Sequence, residues 1–479
     1  MNLTSRCLAS SAVLALLLTS AGVTSAATLQ VGPTRTIKMP CAAIAAAQDG
    51  DVIEVDAAVY AKDVCTVSKN GLTLRGVGGL AKLDVTGFTI PNKKAIWVIA
   101  GNDTKVENIE FTGAEVGDNN GAGIRQEGVN LTVRGCYFHD NQEGILAGDN
   151  PTSEILIETS EFARNGYSDG QSHNMYINHV KKFTLQFSYS HDSIEGHLVK
   201  SRALENHILY NRLTGESGIG SYEIDIPDGG RTYIIGNLIH QGPNTHNSAI
   251  ITYKEETATN NPLLDLFVVN NTVINERPQG GTFVNVAGAA TPPAVLRNNV
   301  FFGPGTVCTQ ANAVLDHNLT MTDPKLVNQS SFDYHLLAGS PAIDMGIDPG
   351  SGAGQSLAPK YHYVHPMSFE VRTSVGTIDI GAYELGGGST SSSSSSGSTS
   401  SSSGSTSSSG GTTSSSGSGG VGGSGGEGGS AGTGGSGGDG SGDEGGCGCR
   451  VAGEGQGTSA FAALALAGLL VARRRRAKG

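Results

Sequence analysis

The chain has 479 residues, 70 of them glycine, and a formal net charge of −12. A chain this acidic gives no electrostatic support to a nucleic-acid partner, and none is expected. Short β-branched runs punctuated by Gly, Asn and Asp dominate, and helical periodicity is nearly absent. That pattern predicts an all-β fold. The last quarter is largely Gly and Ser, so the foldable part is about 350 residues, enough for one large core.

Residues 1–27 read as a secretory signal, with Arg6 at the start, an apolar run from Leu8 to Leu18, and Thr24-Ser25-Ala26-Ala27 as the small-residue exit. Cys7 precedes the apolar run and is not placed as a lipid acceptor. The run is too short to span a membrane well. Export allows disulfides. Cys41 and Cys65 flank the first predicted strand and are the expected pair. Cys136 and Cys308 are expected as small buried apolar residues. No Cys/His spacing suggests zinc.

From residue 37 the chain reads as a cap. Ile37 to Ala47 has helical spacing, with Cys41, Ile44 and Ala45 on one side. Asp49-Gly50-Asp51 turns into the strand Val52–Val55, and Asn70-Gly71 turns into Leu72–Arg75. Strand-like runs then recur at Val133–Phe138, Ile155–Glu158, Phe183–Phe187, Ile208–Asn211, Ile234–Ile239, Val268–Asn271 and Leu296–Asn299. Each unit carries one earlier strand as well. A repeat of roughly two to three dozen residues is a solenoid period. Asn211, Asn237, Asn271 and Asn299 recur at one place in the coil, about 4.8 Å apart if coils stack. They are expected to form a structural ladder. With its amphipathic N-terminal helix, this arrangement resembles right-handed parallel β-helix proteins of the pectate-lyase-like superfamily. The resemblance implies one β-helix over residues 28–385. Asp333-Tyr334-His335-Leu336, Gly339–Asp344 and Ile378–Glu384 resemble the closing segment of secreted bacterial β-helix proteins. That segment is expected to cover the last coil, with Asp344 and Asp379 as turn and cap residues.

Residues 386–446 read as a disordered, flexible Gly/Ser linker. The G-x-S-x-G match at Gly434–Gly438 has no flanking strand or helix and carries no nucleophile reading. Residues 447–479 form a short hydrophobic tail: Cys447-Gly448-Cys449, an apolar run to Ala472, and Arg473 to Arg476. This order closely resembles the myxobacterial C-terminal sorting signal of the MYXO-CTERM type. The resemblance implies cutting near Cys447 and Cys449 by a sorting protease and retention at the cell surface. A simple tail anchor is the alternative. Membrane contact is expected only through this tail, and the solenoid is expected to be monomeric.

Ionisable variety concentrates between His173 and Glu256. If Ile177, Val199, Ile224, Ile226, Ile251, Val284 and Val286 face the core, alternation turns Asn178, Lys200, Asp225, Thr252 and Asn285 outward in one column. Tyr176, Leu198, Glu223, Ile250 and Phe283 form a second. Arg202, His197, His173 and Glu195 fall at strand ends or turns. A cation beside a carboxylate marks either a functional site or a surface salt-bridge ladder. Candidate catalytic residues are Lys200, Arg202, His197, Glu223 and Asp225. Candidate substrate-binding residues are His173, Tyr176, Asn178, Tyr222 and Lys254.

The run Leu198-Val199-Lys200-Ser201-Arg202 to Asn206 and Asn211 resembles a coil of β-helix lyases that cleave alginate or chondroitin-type chains. There the resemblance implies a lysine base, an assisting arginine on the next coil, and calcium. Lys200 and Ser201 match, whereas the next coil reads Tyr222-Glu223-Ile224-Asp225-Ile226 and has no arginine. Asp225 next to Lys200 favours the charged amine, which opposes a base. Asp225 and Glu223, with Asn178, are the calcium-ligand candidates, and no other cofactor is expected. Glu223 with Asp225, roughly 6.6 Å apart along a strand, or Asp225 with Asp228, form a hydrolase alternative. The non-enzyme alternative is a displayed scaffold that binds a polysaccharide or cell-surface glycan, stacking sugars on exposed Tyr176, Tyr189, Tyr210, Tyr222 and Tyr253.

Overall fold

A computed structural model describes residues 26–386, apart from 169, 217, 257–260 and 289–291. The signal segment, the linker beyond 386 and the tail with Cys447 and Cys449 lie outside the described residues. Three long parallel sheets of 12, 11 and 10 strands wrap the chain into a right-handed parallel β-helix. The first sheet runs from Thr28–Val31 to Val314–Asp316, the second from Val59–Ala61 to Leu319–Thr320, and the third from Cys65–Val67 to Thr306–Cys308.

Each coil thus contributes three strands, where the sequence suggested two. The run Val133–Phe138 is divided at Gly135, and Ile234–Ile239 at Gly236; both glycines have positive φ (59° and 68°). Left-handed backbone at these positions turns the chain from the first sheet into the second. The residue after each turn points inward. There Asn211 Nδ2 donates to Asn237 Oδ1 (3.0 Å), Asn237 to Asn271 (3.0 Å), and Asn271 to Asn299 (3.0 Å). Asn299 continues the ladder to Asn318 (2.9 Å). These four donors also satisfy buried carbonyls of the first sheet. A second ladder, Asn141 to Asn165 to Asn174, occupies the corner between the second and third sheets.

The short helix Pro40–Ala46 packs against the first strands and buries Ala43 and Ile44, with Ala47 beside them. Ala45 faces solvent, one residue off the expected stripe. Cys41 and Cys65 form the expected disulfide. Cys136 is buried and Cys308 half-buried. Among the described residues no helix is long and apolar enough to cross a membrane.

The C-terminal segment meets the last coil on its flank, where Leu319 packs against the cluster of Leu336, Ala342 and Ile380. It folds back along the flank of earlier coils: Phe369 stacks on Phe187 (4.1 Å), Lys360 N–H donates to Tyr210 Oη (2.9 Å), and Ala382 N–H donates to Thr272 Oγ1 (3.1 Å). Leu315 of the last first-sheet strand stays 55% exposed. Asp379 accepts the amides of Asp344 (2.7 Å) and Leu385 (2.7 Å), so both aspartates shape turns as expected.

Candidate functional site

The site lies on the third sheet, over the strands Met175–Ile177, Val199–Ser201, Ile224–Ile226 and Ala249–Tyr253. Val199, Ile224 and Ile251 share an inward column. Alternation therefore turns Lys200, Asp225, Thr252 and Asn285 outward on successive coils, as expected. The coil before contributes Tyr176, paired with Lys200, and not Asn178.

Glu223 departs from expectation. The strand begins at Ile224, and the residue before it is still turning the corner. Glu223 N–H donates to the carbonyl of Ile250, and the side chain is buried beside Gly215. Burial pushes its carboxyl well above the usual range, so it is held neutral. Glu223 and Asp225 therefore form neither an acid–base pair nor a calcium pair. Asn178 bonds the neighbouring His179 N–H (2.9 Å) and completes no ligand set with Asp225.

Lys200 is fully buried, although it projects from the outward side of its coil. Its Nζ lies 3.6 Å from Asp225 Oδ2 and 5.4 Å from the centre of the Tyr176 ring. Thr252 Oγ1 donates to the other Asp225 oxygen (2.7 Å). A neighbouring column stacks three rings, His173 on His197 (4.4 Å) and His197 on Tyr222 (4.9 Å). His173 Nδ1 accepts the His197 amide (3.0 Å), and His197 Nδ1 accepts the Tyr222 amide (3.2 Å). An accepting Nδ1 assigns the proton of each neutral ring to Nε2. Burial first, then nearby positive charge including Lys200, holds both rings well below the ordinary histidine range. His197 Nε2 lies 3.4 Å from Asp225 Oδ2, without hydrogen-bond alignment.

Arg202 follows at the strand end. Its Nε donates to Tyr176 Oη (2.9 Å), Nη1 pairs with Asp228 (2.9 Å), and Nη2 contacts both oxygens of Glu256 (2.9 and 2.8 Å). Asp228 is completely buried and also accepts from His179 Nε2 (2.8 Å). Burial pushes Asp228 up, but bonds from His179 and Arg202 outweigh it and hold it low. Asp228 is thus an anchor for Arg202, not a partner of Asp225. Lys254 Nζ donates to the carbonyl of Glu256 (2.9 Å), placing that residue against the same flank.

The expected stacking surface is absent. Tyr176, Tyr189, Tyr210 and Tyr253 are buried, and Tyr222 is half-buried in the ring stack. Lys200, Arg202, His197, Asp225, Tyr176, His173, Tyr222 and Lys254 do gather on one face, whereas Glu223 and Asn178 stand apart from it. His179 and Glu256 were missed, because each sits in a turn whose length the repeat pattern does not fix.

No family model matches the chain, and no curated protein matches it. Among solved structures the chain is similar to a pectate lyase, Pel9A, at 15% identity and a TM-score of 0.53, over 76% of this chain and 97% of that one. It is also similar to an alginate lyase from Paenibacillus sp. (13% identity, TM-score 0.38, 61% and 99% covered). A third is a pectin methylesterase from Aspergillus niger (11%, 0.28, 65% and 91%). At these identities the likeness is one of fold.

Proposed function

We propose that the chain is an exported, surface-displayed polysaccharide lyase that cleaves an acidic glycan at the Tyr176–Lys200–Asp225 face. The observation that supports it most is Lys200, an amine on the outward side of its coil that is enclosed between an aromatic ring and a carboxylate. Such enclosed ionisable groups concentrate at functional sites. In the proposed step Lys200 removes the proton next to a uronate carboxylate; its burial favours the free amine that this needs, against the charged form favoured by Asp225 at 3.6 Å. The released electron pair forms a C=C bond while the glycosidic C–O bond at the adjacent carbon breaks. The leaving oxygen takes that proton back from the Lys200 ammonium, directly or through water, which regenerates the amine and leaves one product with an unsaturated end and the other with a new reducing end. Arg202 would meet the uronate carboxylate, which takes the place of Glu256, a side chain 26% exposed at Arg202 Nη2. Neutral His197 contributes no competing cation. Calcium remains part of the wider proposal only as an added ion to test, since the expected Glu223–Asp225 pair is not formed.

The engagement of Arg202 by Asp228 and Glu256 favours a second reading, a non-catalytic glycan-binding scaffold. The test incubates the full chain with polyuronates and neutral glycans, with and without calcium. Ultraviolet absorbance follows unsaturated ends, and a reducing-end assay runs alongside. A lyase gives unsaturated product, and Lys200→Ala lowers its rate by about a hundredfold or more, with circular dichroism confirming the fold. Reducing ends without unsaturation replace the lyase with a hydrolase. Binding without any cleavage puts the scaffold first.

A further inference from the structure

The two ends of the solenoid are finished differently. At the first coil the helix Pro40–Ala46 packs against Thr28–Val31, Val52–Asp56 and Cys65–Val67, and the Cys41–Cys65 disulfide ties it there. Val31, an inward residue of the first strand, is fully buried. At the last coil Leu315 continues the inward column of Val268 and Leu296. It is more than half exposed, because no strand among the described residues lies beyond it.

The other two sheets stop in the same way. Cys308 follows inward Val284, Thr320 follows inward Phe301, and both are half-buried. The terminal strands Thr306–Cys308, Val314–Asp316 and Leu319–Thr320 each have a neighbouring strand on one side only among the described residues. The returning segment reaches this coil on its flank, at Leu319, and leaves Val314 (42%) and Met321 (79%) exposed. An unpaired strand edge over an open apolar core invites a further strand, and proteins cover such edges.

Three observations identify the cover. Residues 303–322 carry a single formal charge, Asp316, and it is engaged by Arg297 of the preceding coil (3.3 Å) and by His317 (2.7 Å). In a chain of net charge −12 this is a face that two copies can bring together without repulsion, and interface cores are depleted in charge. The chain's own linker has nothing to fill the end: over residues 387–446 Val421 and Ala431 are the only apolar residues besides glycine. Finally, a row of free N–H and C=O groups is complemented by another such row. The covered first coil offers none over its core, so a last coil is matched by another last coil.

We infer that two copies of this chain associate end to end through their last coils, as a dimer in place of the expected monomer. Val314–Asp316 pairs antiparallel with its own copy across a two-fold axis at Leu315. The two Leu315 side chains then close each other's cores, and Val314 lies opposite Asp316 of the second copy. A face that meets only its own kind makes an isologous contact, which closes at two and does not grow into a fibre. The end of one coil is a small surface, so the dimer is reversible and forms with rising concentration.

The test follows the full chain by analytical ultracentrifugation and hydrogen exchange over a range of concentrations, in a nonionic detergent that keeps the apolar run before Ala472 from associating. The expected result is a monomer that passes to a dimer as concentration rises, with amides in Val314–Asp316 gaining protection in step and those of Pro40–Ala46 unchanged. Leu315→Asp should weaken the dimer by about tenfold or more, with circular dichroism confirming the fold. Val314→Glu sets two carboxylates opposite each other and should weaken it more than Val314→Lys does. Val371→Asp, at an exposed position of the returning segment, should leave it unchanged. A monomer with protected end strands would mean that the chain's own tail covers the coil, and a monomer with unprotected ones that nothing does; either overturns the inference. So does a species that keeps growing beyond two copies, or a dimer undisturbed by Leu315→Asp.

Discussion

Thr252 Oγ1 donates to Asp225 Oδ1 at 2.7 Å, and this bond fixes the carboxylate whose other oxygen faces Lys200 and His197. The Thr252 side chain is fully buried. Thr252→Val keeps the shape and removes the donor, leaving a buried carboxylate oxygen short of one bond. The expected loss is about 1–3 kcal/mol, read as a lower urea midpoint with an unchanged slope. If Lys200 is the base, the same variant also lowers the lyase rate, because the amine loses a fixed neighbour.

Asn237 is a stricter case. Its amide group bonds the Ile208 carbonyl (2.8 Å) and Asn271, while its oxygen accepts the Asn211 amide (2.9 Å). Asn237→Ala leaves several buried groups unpaired at once, each costing about 1–3 kcal/mol. Denaturant unfolding should show a loss of roughly 3 kcal/mol or more, whereas the exposed Asn244→Ala should change almost nothing.

Glu223 sets a pH dependence. Its carboxyl is held neutral by burial, above the ordinary value of 4.5 that it regains on unfolding. The folded chain therefore holds one more proton than the unfolded chain above that pH. Stability from this group is complete below the unfolded value and is lost as pH rises towards the folded one, by about 1.4 kcal/mol per pH unit. Glu223→Gln removes this slope. Its stability relative to wild type should rise as pH increases above the unfolded value of 4.5, as read by urea midpoints; a constant difference would contradict the neutral carboxyl.

The Cys41–Cys65 disulfide closes a loop with a sequence separation of 24 residues. Loop-closure entropy assigns it about 3 kcal/mol. Reduction, or the double serine variant, should expose amides of Pro40–Ala46 and the first strands to hydrogen exchange. Because each coil contacts mainly its neighbours, protection in the ladder from Asn211 to Asn299 should persist.

Much of the site was readable because β-branched residues alternate cleanly in Val199-Lys200-Ser201 and Ile224-Asp225-Ile226. That alternation gave the correct faces for Lys200, Asp225, Thr252 and Asn285. It failed for Asn178, because a shift by two residues preserves every inside–outside assignment along a strand. Ile177 does face the core, yet it pairs with Ser201 and not with Val199. Glu223 failed for a different reason: period two holds only inside a strand, and the corner ends one residue after it. Burial of Tyr189 and Tyr210 depended on the returning C-terminal segment, which carries no repeat signal, whereas Tyr253 faces the core beside Ile226, as period two from Ile251 implies.

The ladder from Asn211 to Asn318 has a direction, since each side-chain amide from Asn211 to Asn299 donates to the side-chain oxygen of the next Asn, on the later coil. Its members are separated by 26, 34, 28 and 19 residues, so the ladder is indifferent to how much chain each coil spends in its loops. Loss or duplication of one whole coil leaves a donor facing an acceptor at the seam, while loss of a single residue within a strand inverts its faces. Length variation in such a solenoid is therefore quantised in coils, and its loops are free to diversify between fixed rungs.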